Sequence, residues 1–414
     1  MLTSPFVCVL AAAALAIGCN SKGSVAEPSA SNPAAPAQAM CAPSDSTATA
    51  GGTLDHIIFV ALENHTRDEI LGPGTEAITP FLHRVAAECG AVANFFDTTQ
   101  PSLPNYIDVF AGQHPDYMDK VTGSQITGEE NCTAYLILDD PEKRPCYSAD
   151  ANLFSQLGPG NWMSYAEGMG EKCRSNDRLS GYVVRHYPVV YFSNLAADPT
   201  DCMAPANRPL PALDGAFLTS VDVSRKLTYI LPNLCHGQHS LQPWSHDPGG
   251  CDLQPVPQAV TGADGSLYTY DAEYPDGCWG SSGSDDACQL ERSDQFLADL
   301  IPRLMSSGEY QAGRTAIIIW WDEDGVGSVG DTQVPLFVIS PFTRVTDGVL
   351  PESPLVQHFD LLYTMQLLLG VEPLADNAHT AYGWAAETPP QLTVPAPGPG
   401  SAGRTDLRPY FSLH

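Results

Sequence analysis

Thr315-Ala-Ile-Ile-Ile-Trp-Trp321 contains no charged side chain and breaks directly into Asp322-Glu323-Asp324-Gly325. A continuous apolar run, without polar alternation, marks a strand buried on both faces, as in a parallel sheet covered by helices. His56-Ile-Ile-Phe-Val-Ala-Leu62, Leu227-Thr-Tyr-Ile-Leu231 and Pro335-Leu-Phe-Val-Ile-Ser340 have the same character. Helical spacing separates these runs. Thr79-Pro80 opens one helix, with Phe81, Leu82, Val85 and Ala86 on a single face. A second is predicted over Asp294 to Met305 with Ser293 as its cap. A third runs from Phe359 to Leu369, with Leu361, Leu362, Met365, Leu368 and Leu369 inward and Gly370 as its stop. Strands alternating with helices predict an α/β fold with a mostly parallel central sheet flanked by helices.

The chain has 414 residues, of which 48 are acidic and 19 basic, so its formal net charge is −29. With 43% hydrophobic residues and only 16% charged there is enough apolar material for a large core, which excludes a disordered acidic protein. The acidity argues against a nucleic-acid binder or a polybasic membrane binder. Any anionic substrate would need a local positive group, such as a metal ion.

An apolar run from Phe6 to Ile17 is too short to span a bilayer and suits a secretory signal peptide over residues 1–19. Ala16-Ile17-Gly18-Cys19 is similar to a bacterial lipobox, which would make Cys19 the lipidated residue. The chain is therefore expected to be exported to the periplasm, cell surface or medium. Residues 20–54 form an Ala/Ser/Pro-rich linker, residues 55–386 the folded domain and residues 387–414 a proline-rich tail. Residues 240–293 interrupt the α/β pattern with Gly, Pro, Asp, Ser and three cysteines, and predict a disulfide-pinned insertion. Setting aside Cys8 and Cys19, the even number of remaining cysteines in an exported chain implies disulfides. Cys132 with Cys146, or two of Cys251, Cys278 and Cys288, are candidate bridges.

The ends of the apolar runs carry the chemistry. The first leads into Glu63-Asn64-His65, the 315–321 run into Asp322-Glu323-Asp324, and the 227–231 run into Asn233, His236 and His239. Ligands of open α/β sheets sit beyond the carboxyl ends of the strands, so these ends should face one place. Pro101-Ser102-Leu-Pro104-Asn105-Tyr106 reads as a helix start, where free N–H groups suit a phosphate beside Ser102. Asp322-x-Asp324-Gly325 is a poor EF-hand, because it follows a strand and lacks the third acidic position.

Glu63-Asn64-His65, Pro101-Ser102-Leu-Pro-Asn105-Tyr106, Pro232-Asn233-Leu-Cys with His239, Trp321-Asp322-Glu323-Asp324-Gly325 and His358 before a Leu-rich helix occur in this order. Together they resemble the bacterial phosphoesterase family of acid phosphatases and phospholipases C, within the alkaline phosphatase superfamily. The resemblance implies an alkaline phosphatase-like fold and a phosphoesterase catalytic domain. It implies Glu63, Asn64, Asp322 and Glu323 as metal ligands and Ser102 as a metal-bound nucleophile forming a phosphoserine. It further implies that His239 and His358 bind a second metal or contact the phosphate, while Asn105 and Asn233 are the candidate substrate-binding residues. Two departures stand out: Gln100 where the family often has His, and His236-Gly237-Gln238-His239 where it often has Asn-Asp-x-His. His236 is the candidate replacement for the missing acidic ligand.

A site of carboxylates, an amide and a hydroxyl suits Mg²⁺, Ca²⁺ or Mn²⁺, and a histidine site suits Zn²⁺ or iron, so one or two divalent cations are expected. The expected activity is metal-dependent phosphoric ester hydrolysis, as an acid phosphatase-like phosphomonoesterase or a phospholipase C-type diesterase. The substrate is then a small phosphate ester or a lipid headgroup, with membrane contact only through the Cys19 anchor. A catalytically silent, calcium-stabilised surface binding lipoprotein is the alternative of another class. Sulfate ester hydrolysis is disfavoured by the absence of a Cys-x-Pro-x-Arg segment.

Overall fold

The computed structural model describes residues 40–41, 54–98, 102–112, 117–119, 146–148, 151–170, 173, 181–192, 194–195, 202–203, 221–239, 256–270, 278, 285–324, 333–343, 356–374, 405–408 and 413. The predicted signal peptide with Cys19, most of the linker and tail, and Gln100 and Gly325 lie outside these residues. All the described residues belong to one compact unit, Ala39–His414.

In chain order the strands are β1 (His56–Leu62), β2 (Phe95–Phe96), β3 (Tyr117–Asp119), β4 (Cys146–Ser148), β5 (Trp162–Ala166), β6 (Cys202–Met203), β7 (Leu227–Leu231), β8 (Ala259–Thr261), β9 (Leu267–Thr269), β10 (Thr315–Trp321), β11 (Leu336–Ile339) and β12 (Val356–Gln357). The helices are α1 (Arg67–Leu71), α2 (Pro80–Cys89), α3 (Ser102–Ala111), α4 (Leu153–Leu157), α5 (Asp285–Met305), α6 (Gly308–Gln311) and α7 (His358–Leu369), with 3₁₀ turns at Val184–His186 and Pro188–Val190. A six-stranded sheet runs in the order β11-β10-β1-β7-β5-β6. Its pairings are parallel except β10 with β11, so the sheet is mostly parallel, as the sequence predicts.

β1 is central and every residue of it is buried, as in β10. Phe59 packs its ring against Phe110, Tyr229 and Trp320, tying the sheet to α3. α7 ends where Gly370 takes φ 68°, a left-handed cap, and donates its N–H to Gln366 O. Among the described residues no helix is long and apolar enough to cross a membrane.

Three features differ from or add to the sequence reading. β11 is antiparallel to β10, because apolarity reports burial on both faces and carries no strand direction. β5 was not anticipated: Ser164 interrupts its apolar run, and that hydroxyl is satisfied inside the core by Tyr187 OH. The third concerns α5, which begins at Asp285 instead of Asp294. Ser293 therefore lies inside the helix and caps nothing; its hydroxyl donates to His236 O at 2.7 Å.

Within the predicted insertion, β8 and β9 form a hairpin, and Arg84 of α2 reaches Asp264 at 2.6 Å and Tyr268 OH at 2.7 Å. Cys278 and Cys288 form a disulfide, one of the anticipated pairs; Cys173 and Cys235 each take part in a separate disulfide.

Candidate active site

Parallel pairing in register places Leu62 beside Trp321, so the next residues, Glu63 and Asp322, leave the sheet side by side. Asn64 then turns the chain at φ 59°, a left-handed conformation that asparagine tolerates better than most residues. That turn aims the Asn64 N–H at Asp322 Oδ1, 3.2 Å away. From the other side, β7 ends in a turn whose Gly237 carbonyl accepts the Glu63 N–H at 3.0 Å. A Cβ at Gly237 would lie 2.9 Å from Asn233 O and 3.5 Å from Glu63 Oε1, so this close approach needs glycine.

Ser102 is the first residue of α3 and is buried, and its hydroxyl donates to Glu323 Oε1 at 2.9 Å. One turn on, Asn105 Nδ2 donates to Glu323 Oε2 at 3.3 Å, so Ser102 and Asn105 hold the two oxygens of one carboxylate from one helix face. Thr98 fixes the Asn105 amide by donating from Oγ1 to its Oδ1 at 2.8 Å. The first-turn N–H groups of α3 lack intrahelical partners, which favours an anion there.

The carboxylates of Glu63, Asp322 and Glu323 are buried and act on one another. Burial pushes Glu63 up to about 6, against the pull of His239, Arg185 and His65. Burial first, then the charges of Glu323 and Glu63, hold Asp322 well above the ordinary carboxylate range. Burial pushes Glu323 up to about 8, opposed mainly by the Ser102 hydroxyl. Such raised values mark negative charges that the protein does not itself neutralise.

Each anticipated histidine has a definite place. His358 is fully buried; Trp320 Nε1 donates to its Nδ1 at 3.0 Å and its Nε2 reaches the Asp322 carbonyl at 2.8 Å. Both ring nitrogens are thus spent on orienting β10 and Asp322, which departs from the metal or phosphate contact that the resemblance implies. His236 Nδ1 lies 3.0 Å from Glu167 Oε2, and its ring stacks on Phe296. His239 Nε2 lies 3.5 Å from Arg185 Nη2. Asn233 supplies its Oδ1 to the N–H groups of Cys235 at 3.1 Å and His236 at 3.3 Å, which shapes the turn after β7.

Sequence reasoning missed Glu167, Arg185 and His186. Glu167 follows the unrecognised β5, and recognising that strand would have exposed it. His186 brings Nε2 within 2.7 Å of Glu63 Oε2 and stacks on Tyr106. That approach is off the axis of a hydrogen bond, since neither atom has a hydrogen-bond partner. Burial first, and then Arg185, push His186 well below its ordinary value, so it is a neutral ring.

Among the described residues no three His, Cys, Asp or Glu side chains stand as a closed coordination cluster. The donor chemistry nevertheless fits a hard cation. Asp322 Oδ2, Glu63 Oε2 and Asn64 Oδ1 are buried oxygens without a hydrogen-bond partner, and such atoms are costly unless something positive meets them. Glu63, Asn64, Asp322, Glu323 and Ser102 are the residues that would hold it.

No family model and no curated protein matches the chain. Among solved structures it is similar to a protein in the alkaline phosphatase superfamily from Vibrio parahaemolyticus, at 14% identity over 82% of this chain and 77% of that one, TM-score 0.45. It is also similar to the phosphonate monoester hydrolase of Silicibacter pomeroyi, at 13% identity over 87% and 77%, TM-score 0.44. The lipoteichoic acid synthase LtaP of Listeria monocytogenes matches at 14% identity over 80% and 77%, TM-score 0.42.

Proposed function

We propose that the chain is an exported, metal-dependent phosphoric ester hydrolase that uses Ser102 as nucleophile, with phosphomonoesters as its main substrates. The carrying observation is the hydrogen bond from Ser102 Oγ to Glu323 Oε1, 2.9 Å long, at a helix start. A serine hydroxyl is a weak nucleophile until a neighbouring base or cation lowers its pKa. A bound divalent cation would neutralise the carboxylates of Glu63, Asp322 and Glu323 and lower the pKa of that hydroxyl.

The chain's own residues do the rest. Glu323 and Asn105 orient Ser102, and the Gly237 carbonyl fixes the backbone of Glu63. Ser102 Oγ attacks phosphorus in line; the P–O bond to the alcohol breaks, and the alcohol leaves with a proton. Water then cleaves the phosphoserine by the reverse geometry, returning the hydroxyl and inorganic phosphate.

The test compares wild type with Ser102→Ala on p-nitrophenyl phosphate and p-nitrophenyl phosphorylcholine, with Mn²⁺, Ca²⁺, Zn²⁺ and Fe²⁺ in turn. Wild type should turn over the monoester, and acid quench should leave one phosphoryl group on the peptide containing Ser102. Faster turnover of phosphorylcholine ester would assign a phospholipase C-type activity instead. Turnover of neither substrate with any cation overturns the hydrolase reading in favour of a binding lipoprotein.

A further inference from the structure

Arg185 belongs to the 3₁₀ turn Val184–His186, between two buried residues, and is itself partly exposed. Its neighbour His186 stands 2.7 Å from Glu63 Oε2, and its own Nη2 stands 3.5 Å from His239 Nε2. The rings of His186 and His239 lie 6.2 Å apart, so the turn and the end of the β7 loop come together next to Glu63. The charge of Arg185 favours the ionised forms of both Glu63 and Glu323, so it acts on the carboxylate that holds Ser102 and on its neighbour.

Six other arginines, Arg67, Arg84, Arg225, Arg303, Arg314 and Arg408, each stand within ion-pair distance of a carboxylate of the fold. Among the described residues Arg185 has no carboxylate within ion-pair distance; its near polar neighbour is the imidazole of His239. A guanidinium beside an acidic site but engaged by no acid is available for an anion, and its planar fork matches two oxygens of one phosphate.

We propose that Arg185, with His239 beside it, is the anion-binding residue of the site and selects the dianionic terminal phosphate of a monoester over a diester. The inference rests on the hydrolase reading above and deepens it. A monoester presents three non-bridging oxygens and two charges, so two oxygens can face the fork while the third faces the carboxylate side. A diester presents two non-bridging oxygens and one charge, and its second alkyl group occupies a position the fork would use. Arg185 therefore interacts more strongly with the monoester.

The experiment uses the full chain, as wild type, Arg185→Gln and Arg185→Lys, with p-nitrophenyl phosphate and bis-p-nitrophenyl phosphate. Loss of charge-assisted hydrogen bonds should lower monoester kcat/KM roughly 10- to 100-fold in Arg185→Gln. Diester kcat/KM should change less than about threefold, and Arg185→Lys should fall between, since it keeps the charge and loses the fork. Equal losses on both substrates, or no loss on the monoester, overturn the proposal. Titration with inorganic phosphate, followed by calorimetry, reads the same residue without turnover. If wild type hydrolyses neither ester, the hydrolase reading fails and this titration alone decides: phosphate binding that is lost in Arg185→Gln supports an anion site. Phosphate binding that is absent in wild type, or unchanged in the variant, overturns it.

Discussion

Ser102 Oγ and Glu323 Oε1 meet at 2.9 Å although 221 positions separate them in sequence. One group begins a helix and the other follows a central strand, so their meeting is a property of the sheet and its connection. Glu323→Gln keeps an oxygen for the serine hydroxyl and removes one of the mutually repelling buried charges. The variant should melt at a higher temperature than wild type without added cation, yet lose roughly 100-fold or more in turnover. Thermal melts and kcat with one substrate check both directions. A variant that melts lower without cation would refute the repulsion argument.

Buried oxygens of Glu63, Asn64 and Asp322 without partners should make the fold sensitive to divalent cations. Anything that binds the native state alone stabilises it by mass action, by about 2.7 kcal/mol at a hundredfold excess over Kd. Adding Mn²⁺ or Ca²⁺ after chelation should therefore raise the melting temperature of wild type. Asp322→Asn should abolish most of that rise. An unchanged melt in both proteins, with every cation tried, would remove the cation site.

The sequence exposed β1, β7 and β10 because unbroken apolarity is a strong signal, and their polar ends followed from the sheet rule. Glu63, Asp322 and Glu323 were legible for that reason, and Ser102 was legible from the prolines that mark a helix start. β5 was hidden by Ser164, whose hydroxyl finds Tyr187 only in the folded state, and Glu167 was hidden with it. Arg185 and His186 sit on a 3₁₀ turn without hydrophobic period, so only the tertiary contact to Glu63 reveals them. The first turns of α5 were masked by surrounding Gly, Ser and Asp, residues that read locally as turns.

His358 presents an accepting Nδ1 to Trp320 and a donating Nε2–H to the Asp322 carbonyl, which fixes one neutral tautomer. His358→Ala leaves a buried indole N–H and a buried carbonyl unmet, at a cost of about 2–4 kcal/mol. Activity should fall in step with stability, because Asp322 loses its anchor. Urea unfolding of the variant measures this. A variant as stable as wild type but inactive would restore the direct phosphate or metal contact that the family resemblance implies.

Gly237 holds Glu63 through its carbonyl, and an added Cβ would sit 2.9 Å from Asn233 O. Gly237→Ala must shift that backbone by a few tenths of an ångström, and Glu63 with it. Turnover should fall about tenfold or more while the far-ultraviolet circular dichroism is unchanged. Full activity in Gly237→Ala would show that the turn does not position Glu63.

Asp294, in the middle of α5, accepts the N–H groups of Phe81 and Leu82, each at 2.9 Å, and the Tyr270 hydroxyl at 3.1 Å. It thereby caps the start of α2 from another helix. Burial outweighs these three donors and pushes its carboxyl from 3.8 up to about 7. A folded pKa above the unfolded one means that the native state binds the extra proton. The stability from this group is complete below pH ~4 and is lost as pH rises toward about 7, by at most about 1.4 kcal/mol for each step of one in pH. Asp294→Asn is uncharged at every pH and gives up one acceptor, so it should be less stable than wild type throughout. The gap between the two proteins, measured by urea unfolding at pH 4, 5, 6 and 7, should shrink as pH rises. A gap that widens with pH would show instead that the donors from α2 and Tyr270 outweigh burial and hold the carboxylate ionised.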